Sequence, residues 1–294
     1  MDMRIATEME SFGRRLGWEK ALELTAQAGF DCMDISLFEL AKEGDSPLKG
    51  PKGVEYATRL RKKAESLGIR INQAHAPFRM DMKRWMEGER EEILGILHHS
   101  IRVAAAAGCS NIIIHPVHAM NYLNSDPAWV KAVNVEYYSL LAPVAKETGI
   151  KIAIENMWQR NRYTKHIVVS VCSSPWEHAA YIDACNAVEP VFTACLDVGH
   201  SVLAGVDPTL AIRVLGDRLG CLHIHDVDGK NDSHTCPGTL MVDFPAIVQT
   251  LREIGYPGEF TLESMCYLDQ FPEERHFEAL QHMQKVCCEL LGRA

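Results

Sequence analysis

Histidine and carboxylate side chains recur at the ends of short apolar runs along this chain. Six of them stand at or near the ends of six consecutive strand-forming runs: His75, His115, Glu155, Asp197, His223 and Glu263. If carboxylates of this set converge, protons or a cation must offset their charge. Three carboxylates with one imidazole suit Mn²⁺, Mg²⁺ or Co²⁺ better than a thiolate-selecting metal. We therefore predict one divalent cation, Mn²⁺ foremost with Zn²⁺ as a further alternative, bound by Glu155, Asp197, His223 and Glu263.

The imidazole ligand on the seventh run has two candidates. His223 and His225 are two residues apart. Side chains at this spacing on a strand point to the same face, so both imidazoles can face inward. Spacing alone leaves open which of the two binds the cation.

Eight strand-forming runs alternate with helical segments. The runs span residues 4–6, 32–36, 69–73, 111–114, 151–154, 191–196, 220–224 and 259–262, and five of the helices span 16–28, 54–67, 89–107, 130–148 and 244–254. A glycine follows each of these five helices, as expected of a left-handed C-cap. Strand and helix repeated eight times predict parallel strands with right-handed crossovers. In 294 residues this fits a single α/β domain, a (β/α)8 TIM barrel over 1–294.

The longest irregular segments all follow predicted strands. They span residues 37–53, 75–88, 115–128, 156–174 and 226–243. In a TIM barrel these loops form the catalytic face, which is where the six residues above would meet.

Composition limits the partners of the chain. The net charge is −9, which argues against nonspecific attraction to nucleic acid or acidic membranes. No run reaches the ~18 apolar residues that a membrane helix requires, and the start of the chain lacks the pattern of a signal peptide. The ten cysteines include no C-x-x-C pair. We expect a cytoplasmic protein with reduced cysteines and no nucleic-acid or membrane partner, and leave open association into a homo-oligomer.

Several short motifs together resemble one superfamily. They are His75-Ala76-Pro77-Phe78, Ile154-Glu155-Asn156, Leu196-Asp197-Val198-Gly199-His200, Leu222-His223-Ile224-His225-Asp226, Asp232-Ser233-His234 and Thr261-Leu262-Glu263. In this order they resemble the sugar phosphate isomerase/epimerase superfamily with the xylose isomerase-like TIM barrel. That superfamily includes ketose 3-epimerases, inosose dehydratases and abasic-site endonucleases.

The resemblance implies an enzyme of carbohydrate metabolism, a metal-dependent isomerase or epimerase of a sugar or sugar phosphate. It assigns one metal to the four ligands predicted above, and makes Glu155 and Glu263 the acid/base pair. Proton transfer would pass through an enediolate stabilised by the metal. The implied substrate-binding residues are His75, His115, His200, Asp232 and His234.

Three other functions stay open. The endonuclease branch binds three zinc ions through nine residues, and this chain offers a candidate for each: His75, His115, Glu155, Asp197, His200, His223, Asp232, His234 and Glu263. The acidic charge disfavours this multi-zinc phosphodiesterase. An inosose-type dehydratase would use the same carboxylates, and a barrel that only binds its ligand is disfavoured because both glutamates are present. Thr239 and Leu240 follow Gly238 where many relatives have Pro-Gly-x-Gly, which leaves the contacts of that loop open.

Overall fold

A computed structural model of the chain describes residues 3–78, 82–118 and 121–293. Its strands are β1 (Ile5–Glu8), β2 (Cys32–Ser36), β3 (Arg70–His75), β4 (Asn111–Ile114), β5 (Lys151–Glu155), β6 (Trp158–Arg160), β7 (Ile167–Val169), β8 (Phe192–Asp197), β9 (Leu219–His223) and β10 (Phe260–Leu262). Eight of them pair in parallel in the order β10-β1-β2-β3-β4-β5-β8-β9. Ile224, directly after β9, pairs in parallel with Leu262 and closes the ring. The predicted (β/α)8 barrel is confirmed, whereas the extent of one domain over 1–294 stays a prediction.

Helices surround the ring. They are α1 (Glu10–Leu16), α2 (Trp18–Ala28), α3 (Lys52–Ser66), α4 (Met82–Met86), α5 (Arg90–Ala107), α6 (Pro127–Thr148), α7 (Pro175–Asn186), α8 (Val198–Leu203), α9 (Pro208–Leu215), α10 (Phe244–Glu253) and α11 (His276–Leu291), with 3₁₀ turns at Phe38–Ala41, Tyr122–Asn124, Gly216–Arg218, Met265–Gln270 and Glu273–Arg275. None of the described helices is long and apolar enough to cross a membrane.

The glycine signals of the sequence correspond to helix ends. Gly29, Gly68, Gly108, Gly149 and Gly255 all have a positive φ, between 65° and 91°. The predicted helix 16–28 was wrong in its start, because Gly17 (φ 85°) separates α1 from α2. Helical periodicity does not detect such a break, because the apolar Leu16 fits the stripe of α2 although it ends α1 and is 47 % exposed.

Polar residues extend several strands beyond their predicted ends. β1 continues to Glu8 rather than residue 6, and β3 continues to His75 rather than residue 73. Glu8 pairs with Asp34 of β2, and His75 pairs with Ser36 of β2. The apolar pattern stops where the strands reach the pocket, while their pairing with neighbours continues.

Two of the predicted loops lie partly outside the described residues. These parts are 79–81 in the loop 75–88 and 119–120 in the loop 115–128. The predicted loop 156–174 contains the antiparallel hairpin of β6 and β7, which the sequence analysis missed. Each strand of the hairpin has three residues and is only partly buried. Such strands do not show the alternation of apolar and polar residues by which a strand is predicted.

The apolar core lies mainly between the strands and the helices. A smaller cluster consists of Ile113, Ala153, Cys195 and Cys221, which stand two residues before His115, Glu155, Asp197 and His223. All ten cysteines are free, and eight of them are buried, as expected of reduced thiols used for packing. The small cluster forms the floor under the polar ends of the strands.

Candidate metal centre and active site

The four predicted metal ligands come together at the carboxyl ends of the barrel strands. Glu155, Asp197 and His223 are the last residues of β5, β8 and β9, and Glu263 directly follows β10. One ligand atom of each lies within 4.8 Å of the corresponding atoms of the other three. Glu155, Asp197 and His223 are at most 1 % exposed. Residues far apart in sequence therefore form one buried group of donors.

His223 lies at the centre of this group. Its Nδ1 is 2.9 Å from Oε1 of Glu155, 3.3 Å from Oε2 of Glu263 and 4.0 Å from Oδ2 of Asp197. The other ring nitrogen, Nε2, is buried and is 3.9 Å from Oδ2 of Asp34. A single nitrogen thus faces all three carboxylates.

His225, the other candidate on the same segment, contacts a ligand instead of joining the group of four. Its Nε2 is 3.0 Å from both carboxylate oxygens of Asp197. Its ring stacks on His234 with the centroids 4.0 Å apart. Because β9 ends at His223, the direction of His225 depends on the backbone beyond the strand, which the spacing does not determine. The geometry favours His223 as the metal-facing imidazole.

Charges inside the site compensate one another. Burial acts to raise the pKa of Glu155, but the positive charges of His223 and His115 outweigh it and hold this pKa well below its usual range. Burial acts to lower the pKa of His223, but Glu263 and Glu155 raise it well above its usual range. A proton on His223 can thus offset carboxylate charge, and a cation that binds in the same place must displace it.

A second cluster extends from Glu155 toward β3 and β4. Nε2 of His115 is 2.8 Å from Oε2 of Glu155, and Nε2 of His75 is 3.5 Å from the same oxygen. The two imidazole Nε2 atoms are 3.1 Å apart. The Nδ1–H of His75 donates to the carbonyl of Ala76 at 2.7 Å, which directs Nε2 into the site.

A third cluster stands on the opposite side of the centre, around Asp232. Oδ2 of Asp232 is 3.3 Å from Nε2 of His200, 3.1 Å from Nε2 of His234 and 3.2 Å from the indole nitrogen of Trp158, which donates to it. Burial acts to lower the pKa of His200, but Asp197 and Asp232 raise it to about 10. Ligand atoms of His200, His225, Asp232 and His234 lie within 4.8 Å of one another.

Hydrogen bonds to the backbone fix the positions of Asp197 and its neighbours. The side chain of Asn156 accepts from the amide of Asp197 at 2.8 Å and donates to its carbonyl at 2.9 Å. Asp197 is also the N-cap of α8, where Oδ1 accepts from the amide of His200 at 2.7 Å. The motif Asp-Val-Gly-His thus turns a strand into a helix and directs Asp197 into the site.

Gly199 provides the space that His225 occupies. A Cβ at this position would lie 2.1 Å from Cε1 of His225, whose ring is held by Asp197 and stacked on His234. We expect Gly199→Ala to displace His225 and to lower the free energy of unfolding by about 2 kcal/mol or more, the range found for overpacked cores. Urea unfolding measures this loss. Gly95→Ala in α5, where a Cβ meets nothing within 4 Å, is the matched control and should unfold like the wild type or later. Equal stability of the two variants would contradict the packing described for His225.

The clusters line one pocket of about 460 Å³. The lining includes both proposed acid/base residues and all five predicted substrate-binding residues, Glu155, Glu263, His75, His115, His200, Asp232 and His234. Phe38, Phe78 and Trp158 supply an apolar wall. Asp197 and His223 lie beneath this lining, so the pocket places a ligand directly above the group of four.

The loop after β9 is held by one buried carboxylate. Asp226 accepts from the backbone amides of Leu240 at 2.8 Å, Met241 at 3.1 Å and Val242 at 3.0 Å. These contacts fix the segment after Gly238 that the motif comparison left open. Because Asp232 and His234 belong to this loop, its anchoring positions the third cluster.

The sequence analysis missed several polar residues of the site, among them Glu8, which lines the pocket, and Asp34, which lies behind His223. Burial, followed by the charge of Asp34, raises the pKa of Glu8 to about 8. The run 32–36 contained Asp34 in an otherwise apolar strand, which was the available signal. Glu8 had none, since the predicted first strand ended two residues earlier.

Comparison with known proteins agrees with this fold. The family model described as the xylose isomerase-like TIM barrel matches residues 22–286. The chain belongs to this family. It is 25 % identical to an uncharacterized protein of Methanocaldococcus jannaschii over 248 residues, which cover 83 % of this chain and 78 % of that protein.

Members of the xylose isomerase-like family with named activities also match. An L-ribulose 3-epimerase of Methylomonas sp. (strain DH-1) is 31 % identical over 135 residues, 46 % of this chain and 42 % of the epimerase. An inosose dehydratase of Lacticaseibacillus casei is 32 % identical over 85 residues, 23 % of this chain and 28 % of the dehydratase. The chain thus matches less than half the length of either enzyme.

Solved structures of the family share the fold. An L-ribulose 3-epimerase superposes with a TM-score of 0.75 at 18 % identity, covering 99 % of this chain and 95 % of that one. The IOLI protein with a bound zinc atom superposes with a TM-score of 0.73 at 18 % identity, covering 99 % of this chain and 98 % of that one. These structures show the common barrel, and sugar epimerases are among its neighbours.

Proposed function

We propose that this chain is a metal-dependent isomerase or epimerase of a small sugar, with Glu155 and Glu263 as its acid/base pair. The observation that carries the proposal is the position of these two carboxylates. Both line the pocket, and both face Nδ1 of His223, at 2.9 Å and 3.3 Å. L-ribulose 3-epimerase as a relative supports the same reaction class.

The donor set of Glu155, Asp197, His223 and Glu263 fits a divalent cation. Three carboxylates and one imidazole nitrogen converge within 4.8 Å in a largely buried place, and such a set needs a positive charge. Mn²⁺ is the cation we propose, since oxygen-rich sets suit it. When bound, the cation would polarise a substrate carbonyl and offset the negative charge that forms when the adjacent C–H loses its proton.

The two glutamates approach the pocket from different directions. Glu155 ends β5 and Glu263 follows β10, and β8 and β9 separate these strands around the ring. A sugar between them can lose a proton to one carboxylate and receive one from the other. Return of the proton to the other face of the same carbon gives an epimer, and return to the neighbouring carbon gives an isomer. The imidazoles of His75, His115, His200 and His234, with Asp232, are proposed to bind the sugar hydroxyls.

Deuterium uptake tests this proposal directly. The Mn²⁺-loaded protein is incubated in heavy water with a panel of ketoses, and each recovered sugar is analysed by mass spectrometry and NMR. We expect one deuteron at a carbon next to the carbonyl of at least one ketose, because proton transfer in this pocket exchanges with solvent. No uptake into any ketose would contradict the proposed function.

A multi-zinc phosphodiesterase is the second candidate, favoured by one observation. The nine residues named for three zinc ions fall into three adjoining clusters, two of which share Glu155. Elemental analysis separates the two functions, with about one metal ion per chain for the isomerase and about three zinc ions for the phosphodiesterase. Cleavage of abasic DNA by the zinc-loaded protein would support the phosphodiesterase function.

An inosose-type dehydratase shares the first proton transfer with the proposed isomerase. A carbon–carbon double bond would then form as the neighbouring C–O bond breaks, and the hydroxyl would leave as water with a proton from the second carboxyl group, instead of a proton returning to carbon. The inosose dehydratase relative supports this alternative over a limited part of the chain. Loss of water from an inosose without deuterium uptake into ketoses would identify it. A cytoplasmic location and a homo-oligomeric state stay predictions.

A further inference from the structure

A carboxyl group that the proposed chemistry does not use lines the pocket at the end of β1. Glu8 is 6 % exposed and lies among the pocket-lining residues. Its neighbour in sequence, Thr7, pairs with Leu262, the residue before Glu263. Glu8 therefore stands at the same level of the barrel as the proposed acid/base residue, on the adjoining strand.

The two oxygens of Glu8 differ in their contacts. Oε1 accepts from the hydroxyl of Ser36 at 2.9 Å and from the backbone amide of Glu10. Among the residues that the structure describes, none makes a hydrogen bond to Oε2. Two bonds thus fix the direction of the carboxyl while one oxygen stays available to a ligand in the pocket.

The surroundings of Glu8 define what can pair with it. On one side, Asp34 of β2 pairs with Glu8. On the other side, Thr7 of β1 pairs with Leu262 of β10, and Glu263 follows Leu262. The described part of the pocket lining contains five carboxylates and no lysine or arginine. Arg14 and Lys42 near this wall lie against Glu10, at 3.7 Å and 3.9 Å, and do not line the pocket. The wall suits hydroxyl groups and opposes a phosphate.

We propose that Glu8 is a substrate-binding residue whose Oε2 binds a hydroxyl group of an uncharged ketose, and that the pocket selects this ketose over its phosphate ester. The proposal rests on the proposed sugar function and names its substrate class. Either protonation state of the carboxyl serves, since a carboxylate accepts from a hydroxyl and a carboxylic acid also donates to one. Glu8 determines specificity and takes no part in the proton transfer.

Calorimetric titration of the Mn²⁺-loaded protein with ketoses, their phosphate esters and their deoxy analogues tests this role. For the best ketose, Glu8→Ala is expected to raise Kd by about three- to tenfold, the loss typical of one hydrogen bond. Glu8→Gln, which keeps the size and polarity of the side chain, should recover part of this loss. The deoxy-ketose that lacks the contacted hydroxyl should bind wild type and Glu8→Ala alike. Phosphate esters should bind the wild type at least tenfold more weakly than the parent ketoses.

Glu43→Gln is the matched control, because Glu43 is exposed and outside the pocket lining and its replacement removes the same charge. It should bind like the wild type. Thermal unfolding shows whether the variants fold. If Glu8→Ala does not fold, the Kd of Glu8→Gln tests the proposal. Unchanged Kd in both Glu8 variants, tighter binding of a phosphate ester, or no ketose binding by the wild type would overturn the proposal. Binding that depends on Glu8 without deuterium uptake would instead contradict the proposed function alone.

Discussion

Replacing Glu263 by glutamine is expected to slow deuterium exchange by about 10²- to 10⁴-fold, the contribution usual for a positioned acid/base group. Glutamine keeps the size of the side chain and one oxygen donor for a cation, but it cannot take up and return a proton. The residue is only partly buried, with 16 % of its side chain exposed, so the substitution should leave the fold intact. The rate of deuterium uptake at saturating ketose measures the effect.

The control for this substitution is Glu278→Gln on α11. Glu278 is exposed and pairs with Arg275 at 2.9 Å, away from the pocket lining. The rate of deuterium exchange by Glu278→Gln should equal that of the wild type. Metal content of both variants must also be measured, because a loss of metal from Glu263→Gln would mimic a loss of the proton acceptor. Exchange at the wild-type rate in Glu263→Gln would remove Glu263 from the mechanism.

Removing divalent cations with a chelator is expected to abolish exchange and to lower the thermal stability. Without a cation, nothing in the described pocket lining but imidazoles can offset the developing negative charge, because that lining contains no lysine or arginine. At a cation concentration of 100 times Kd, binding raises the free energy of unfolding by about 2.7 kcal/mol. For a protein of this size, this corresponds to a rise in Tm of roughly 5 °C. Exchange assays and thermal scans before and after chelation measure both effects.

Added Mn²⁺ should restore exchange and Tm together. Asp197→Asn is the informative variant, because it keeps the hydrogen bond to the amide of His200 but removes a charge from the ligand group. It should require a higher Mn²⁺ concentration for the same recovery. Full exchange in the presence of excess chelator would contradict a role for the cation.

The sequence contains enough local information to predict the barrel. Apolar runs alternate with helices, and a glycine follows each of five helices. These patterns depend on interactions between residues close in sequence, which the folded chain retains. The strand-forming runs also placed Glu155, Asp197, His223 and Glu263 at or near strand ends, and the family motifs assigned the metal to the same four residues. Parallel strands bring such ends to the same rim, which explains why residues from four separate strands could be predicted to meet.

Other parts of the site depend on tertiary contacts that no local pattern reports. The extension of β1 to Glu8 is fixed by its pairing with Asp34, since the apolar pattern has already ended there. The choice between His223 and His225 depends on the backbone after β9 and on the space that Gly199 leaves. The hairpin of β6 and β7 consists of two short, partly exposed strands that carry no periodicity.

Anomalous diffraction from crystals grown with Mn²⁺ tests the shared metal centre most directly. A difference map at the manganese edge should show one strong peak within about 2.6 Å of a ligand atom of each of Glu155, Asp197, His223 and Glu263, the upper range for oxygen ligands of hard cations. A map with no peak among these four residues, or with manganese bound only elsewhere, would contradict the centre on which the proposed chemistry depends.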